Sequence, residues 1–188
     1  MPLNINRRQF FLKSSKGLIA STTSSLSIKS FGAVFDYARE TKLVDSGLST
    51  KQWDMLFAVQ NHLFPSEPGI PGAQDINALA YFRSIITDPE YDQNDRVFAK
   101  TGLIELEALS NKMMKLSFIE LSTEQKEQVL RIFEKQVNGY PWITTQLNYI
   151  LEALLTDPLY GGNPNEIGWK WLEHTPGFPR PNIQYFDL

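Results

Sequence analysis

Apolar residues recur at three- and four-residue intervals through five separate runs of this chain, and no stretch alternates strictly between apolar and polar. That periodicity dictates helices, because only a helix gathers such positions onto one face. Ser49 followed by Gln52 forms a capping-box pattern ahead of Trp53, Leu56, Phe57, Leu63 and Phe64, so a helix is predicted over about 50–64, with Gln60 the one polar residue on its face. Pro65 ends it, and a loop rich in proline and glycine runs from Ser66 to Ala73. Ile76, Leu79, Phe82 and Ile86 mark a second helix that stops near Asp88-Pro89. Val97, Phe98, Ile104, Leu109 and Met113 mark a longer third one over about 94–115, with Gly102 as a weak point. Ser122 and Gln125 repeat the capping box before Val129, Leu130, Phe133 and Val137, a fourth helix that Gly139 is expected to terminate. Pro141 suits the first turn of a fifth, whose face is Trp142, Leu147, Ile150, Leu151, Leu154 and Leu155. The expected fold is all-α: one bundle of about five helices, followed by an irregular Gly/Pro/Trp-rich C-terminal loop.

That loop, Asp157 to Pro181, holds the least ordinary residues. Gly161 and Gly162 between Tyr160 and Asn163 permit a tight, shaped turn. Trp169, Lys170 and Trp171 then sit on one short helical turn before Pro176, Gly177, Pro179 and Pro181 exclude regular structure. Two readings stay open: rigid aromatics that dock a partner, or tryptophans that cap the end of a helical core. The glycine pair fits a turn or a backbone nest for an anion. Tyr160, Trp169 and Trp171 would stack on a sugar as readily as they would anchor a protein interface.

Composition removes several chemistries. The chain has no cysteine, so disulfides, thiolate-held zinc, iron–sulfur clusters and covalent haem attachment are excluded within it. Residues 1–32 carry five basic side chains and no acidic one, whereas the remainder holds 13 basic against 21 acidic. An acidic body argues against nucleic acid. The two histidines, His62 and His174, lie far apart in sequence with no ligand-spaced companions, and no serine has nucleophile-elbow glycines around it. No catalytic, metal or cofactor-binding residue is assigned in this chain. Glu105, Glu107, Glu120, Glu124 and Glu127 read as a solvated face.

The basic N-terminus has its own logic. Arg7 and Arg8, then Phe10 and a modest apolar run from Gly17 to Ile28, resemble a twin-arginine export signal, the kind that travels with folded cargo. The expected organisation is a signal segment over 1–32, a linker over 33–48 and a helical domain over 49–188. The alternatives are a basic tail or a surface helix, and an uncut signal would tether the chain to a membrane.

Pro158, Tyr160-Gly161-Gly162-Asn163, Gly168-Trp169-Lys170 and Pro176-Gly177, together with Phe64-Pro65 and Pro71-Gly72-Ala73, resemble the gluconate 2-dehydrogenase subunit 3 family. Glu173-His174-Thr175 departs from that pattern, where a glycine and an aromatic are more usual. The resemblance implies the small, non-catalytic subunit of a membrane-bound periplasmic sugar or polyol dehydrogenase. It also implies partners: an FAD-bearing subunit of the glucose-methanol-choline (GMC) type, a multihaem cytochrome c subunit and the twin-arginine translocase. Tyr160, Gly161, Gly162, Asn163, Gly168, Trp169, Lys170 and Trp171 are then the expected partner-binding residues, with FAD and haem c carried by the partners. The alternative is an independent periplasmic carbohydrate-binding or oxidoreductase protein that uses the aromatic loop.

Overall fold

A computed structural model describes residues 45–182. The described residues form six α-helices: α1 Thr50–Leu63, α2 Ala78–Ile86, α3 Gln93–Met114, α4 Thr123–Phe133, α5 Gly139–Leu155 and α6 Ile167–Leu172. Three 3-10 turns, Phe118–Glu120, Pro158–Tyr160 and Pro164–Glu166, complete the order. The one pairing of β type among them is an isolated bridge, Glu67 to Ile70, inside the Pro/Gly loop. The fold is all-α.

Both capping boxes form as their sequences require. Ser49 Oγ accepts the Gln52 amide at 3.3 Å while Gln52 Oε1 accepts the Ser49 amide at 2.9 Å, and Ser122 and Gln125 reproduce the same two distances at α4. Each box satisfies two amides that a helix start leaves without partners, worth about 1 kcal/mol for the cap residue. The core lies between α1, α2, α3, α4 and α5, with Leu56, Phe82, Leu103, Phe133 and Trp142 almost wholly buried. Its aromatic rings meet edge-on, Phe82 against Tyr149 with centroids 4.8 Å apart and Phe133 against Trp142 at 5.8 Å. Leu48, within the expected linker, also joins this core.

Two glycines play roles other than those their sequence positions suggest. Gly102 is not a weak point: α3 runs through it unbroken, and a Cβ there would lie 2.1 Å from the Trp142 ring. The missing side chain is the space the indole fills, and Trp142 Nε1 donates to the Ala99 carbonyl at 3.1 Å. Gly139 opens α5 instead of ending α4, which stops at Phe133 and leaves Val137 exposed. A Cβ on Gly139 would lie 1.7 Å from the Phe133 carbonyl oxygen, so the connection is tight enough to admit only glycine.

The acidic residues read as a solvated face are partly structural. Glu107 accepts Lys51 Nζ and Ser117 Oγ, each at 2.8 Å, and the Phe118 amide at 3.0 Å, pinning the turn after α3 to α1. Glu127 joins α4 to α1 through His62 at 2.9 Å and holds Arg131 at 2.7 Å. Asn138 donates to Glu105 at 3.1 Å.

Candidate functional site

The last residues of α5 leave carbonyls that no helical amide reaches, and the C-terminal motif supplies donors to them. Asn163 is wholly buried, with its Nδ2 donating to the Thr156 carbonyl at 3.0 Å. Trp169 Nε1 donates to the Leu155 carbonyl at 2.8 Å, which fixes the indole against the end of α5. Asn163 also receives the Gly168 amide on Oδ1 at 2.7 Å, and its own amide reaches the Ile76 carbonyl at 3.0 Å, just ahead of α2. One residue, through its side chain and its own amide, thus joins the end of α5, α6 and the entrance to α2.

The glycines of the motif permit this approach. A Cβ on Gly162 would lie 2.7 Å from the Ala153 carbonyl, and one on Gly168 would lie 2.2 Å from that of Leu154. Gly161 takes φ +88°, and Asn163, Asn165 and Glu166 also occupy the left-handed region. Asparagine tolerates that region better than most residues, whereas Glu166 there is strained. Lys170 Nζ donates to the Asn165 carbonyl at 2.7 Å across the same bend. Of the two readings of the glycine pair, the geometry gives the turn: the Gly161 amide is spent on Pro158 at 3.1 Å and Gly162 packs on a carbonyl, which would repel an anion.

The eight expected partner-binding residues therefore divide. Gly162, Asn163, Gly168 and Trp169 are buried; Tyr160, Gly161 and Trp171 are half-buried, and Lys170 is exposed. Trp169 closes the end of the core, and Trp171 meets Phe64 edge-on at 6.3 Å. The export residues Arg7, Arg8 and Phe10 lie outside the described residues.

Arg180 completes the motif, and local sequence reading missed it. Its Nε lies 2.7 Å from Asp157 Oδ2, its Nη1 lies 3.0 Å from Glu166 Oε1, and its guanidinium sits 4.8 Å from the centre of the Trp169 ring. The face of Trp169 is thereby occupied by a cation rather than offered to a ligand.

A cleft of about 520 Å³ opens beside this motif, lined among others by Tyr81, Ile85, Asp88, Tyr91, Thr156 and Tyr160. Tyr81 donates to Glu152 at 3.3 Å, and the hydroxyls of Tyr91 and Tyr149 lie 2.5 Å apart. Burial, chiefly, pushes all three phenols Tyr81, Tyr91 and Tyr149 upward, so they remain protonated donors. Desolvation raises the Glu152 carboxyl, with the Tyr81 hydrogen bond opposing it. Nothing local in the sequence marks this cleft, because its walls come from α2, the loop after it and the segment just past α5. Among the described residues no group of three or more His, Asp or Glu is placed to hold a metal ion, and no helix is long and apolar enough to cross a membrane.

No curated protein and no solved structure matched the chain. The family described as gluconate 2-dehydrogenase subunit 3 matches residues 50–177, which span α1 to α6 and the whole Tyr-Gly-Gly-Asn and Gly-Trp-Lys motif. The chain belongs to the gluconate 2-dehydrogenase subunit 3 family, the small accessory subunit of a dehydrogenase complex.

Proposed function

We propose that this chain is the non-catalytic small subunit of a periplasmic FAD-dependent sugar or polyol dehydrogenase, and that it escorts the FAD subunit through twin-arginine export and stabilises it afterwards. The observation that carries this reading is the family match over nearly the whole helical body. The arginine pair Arg7-Arg8 ahead of Phe10 supports the export step. In this reading the GMC-type flavoprotein oxidises the substrate and a multihaem cytochrome c takes the electrons, with the assembly held at the inner membrane. Binding the folded flavoprotein but not its unfolded chain stabilises it by mass action. Co-expression tests the proposal. Without this chain, or with Arg7 and Arg8 both replaced by Lys, the flavoprotein should fail to reach the periplasm; unchanged periplasmic activity would refute the escort role.

The cleft beside Tyr81 and Tyr160 supports a second reading, a small-ligand binding protein. Titration of the purified chain with monosaccharides and flavin separates the two, since the accessory reading expects no saturable binding.

A further inference from the structure

The Pro/Gly loop after α1 folds back onto the end of that helix. The Ala73 amide donates to the Phe64 carbonyl at 2.7 Å, and the Gln74 amide donates to Asn61 Oδ1 at 3.2 Å. Gly72 makes room for this, since a Cβ there would lie 2.2 Å from the Ser66 amide nitrogen. Between the loop, α1 and the start of α2 a cleft of about 190 Å³ remains, walled by Phe57, Gln60, Asn61, Ala73, Asn77 and Leu79 among others. None of its lining residues is charged. Phe57 is 39% exposed, whereas Gln60, the one polar residue that the helical pattern placed among apolar ones, is 1% exposed. Among the described residues neither carboxamide atom of Gln60 has a hydrogen-bond partner. A buried amide left unpaired is costly, and in the wall of a cleft an entering group can offset that cost.

We propose that this cleft receives a tyrosine side chain of the flavin-bearing dehydrogenase subunit, its ring against Phe57, Ala73 and Leu79 and its hydroxyl paired with the Gln60 carboxamide. The inference rests on the accessory-subunit reading and adds to it the place and the chemistry of contact. Size, charge and hydrogen-bonding capacity select this occupant. The volume lies below the roughly 300 Å³ at which small-molecule sites begin, and it suits one inserted side chain. The uncharged lining offers a carboxylate, ammonium or guanidinium no counter-ion, so a charged side chain would be desolvated without a partner. Gln60 brings both a donor and an acceptor, which a hydroxyl can meet, and tyrosine carries its hydroxyl at the end of an apolar ring. Phenylalanine or leucine would fill the space and leave the amide unpaired. Neither carboxamide atom of Gln60 meets solvent, so its side chain turns towards the cleft as the hydroxyl enters. Membership of a family of accessory subunits selects another subunit of the complex over a second copy of this chain.

The pocket is tested first on the purified full chain. Titration with p-cresol, which is the tyrosine side chain alone, should shift the Gln60 side-chain amide resonances saturably, with about tenfold tighter binding than toluene, which lacks the hydroxyl. Gln60→Met should abolish that preference. Co-expression with the flavoprotein of the complex then tests the occupant. Gln60→Met should weaken capture about tenfold while melting no lower than wild type, because it removes an unpaired buried amide and keeps the volume. Gln146→Met is the control: Gln146 is also buried without a partner among the described residues, yet it lines neither this cleft nor the one beside Tyr160, so capture should be unchanged. Wild-type capture that Gln60→Met leaves undiminished, or equal binding of p-cresol and toluene, overturns the inference while leaving the accessory reading intact. Dimerisation of the purified chain that Gln60→Met abolishes would overturn it in favour of a second copy. If Gln60→Met does not fold, the p-cresol and toluene titrations of wild type decide. Failure of wild type itself to capture the flavoprotein would instead sink the accessory reading, and this inference with it.

Discussion

Asn163 Oδ1 receives the backbone amide of Gly168 at 2.7 Å in a fully buried setting, and this bond sets where α6 begins relative to α5. Replacing Asn163 with Ala removes both that acceptor and the donor to Thr156. The buried Gly168 amide loses its partner at a cost of about 1–3 kcal/mol, and the part-buried Thr156 carbonyl loses its donor as well. Asn163→Ala should therefore lower the urea midpoint clearly with an unchanged denaturant slope. Asn163→Asp keeps the acceptor, loses the donor and buries a charge, and should not rescue the loss.

Gly102 and Trp142 occupy one space between them. Alanine is the better helix former by about 1 kcal/mol, yet Gly102→Ala should destabilise, because overfilling a packed core costs about 1–3 kcal/mol. The cause can be isolated. With Trp142→Phe in the background, the penalty of Gly102→Ala should shrink, a coupling readable from the four melting curves of a double-mutant cycle.

Acid should loosen the tie between α1 and the turn after α3. Desolvation pushes the Glu107 carboxyl up, but hydrogen bonds from Lys51, the Phe118 amide and Ser117 together outweigh it and hold the group below its ordinary value. The folded state then binds its proton less readily than the unfolded chain. Stability from this group is present above the ordinary carboxylate range and is lost as pH falls through it. Glu107→Gln should flatten the fall in stability between about pH 5 and pH 3, measured by chemical denaturation at stepped pH.

Glu152 should behave in the opposite sense. Its carboxyl is raised by desolvation beside Tyr81, so the folded state holds the proton more tightly than the unfolded chain. Its contribution favours folding below the ordinary carboxylate range and fades as pH rises. At neutral pH, Glu152→Gln keeps an acceptor for the Tyr81 hydroxyl and removes the desolvated charge. The variant should match or exceed wild-type stability at pH 7 and lose that advantage near pH 4.

What was legible in the sequence was local. Ser49 with Gln52, and Ser122 with Gln125, start their helices through bonds within one turn, so the pattern alone located them. Gly102 and Gly139 were misjudged because their roles depend on the Trp142 ring and the Phe133 carbonyl, which intrinsic helix propensity does not describe. The C-terminal motif announced a shaped turn, but not that Asn163 and Trp169 would turn inward onto the carbonyls of Thr156 and Leu155. Leu147 and Leu155 share the apolar pattern of α5 with Trp142 and Ile150, yet the structure leaves them 38% and 42% exposed, because periodicity alone does not say how wide the covered stripe of a helix is.

Arg180 bears on how the protein can be shortened. It lies beyond residue 177, where the likeness to its family stops, yet it bridges Asp157 and Glu166 and lies against Trp169. A fragment trimmed to the shared span would leave those two carboxylates without their common counter-ion and uncover one side of the indole. The smallest faithful version of this protein is therefore longer than its family outline, and it ends no earlier than the arginine that fastens it.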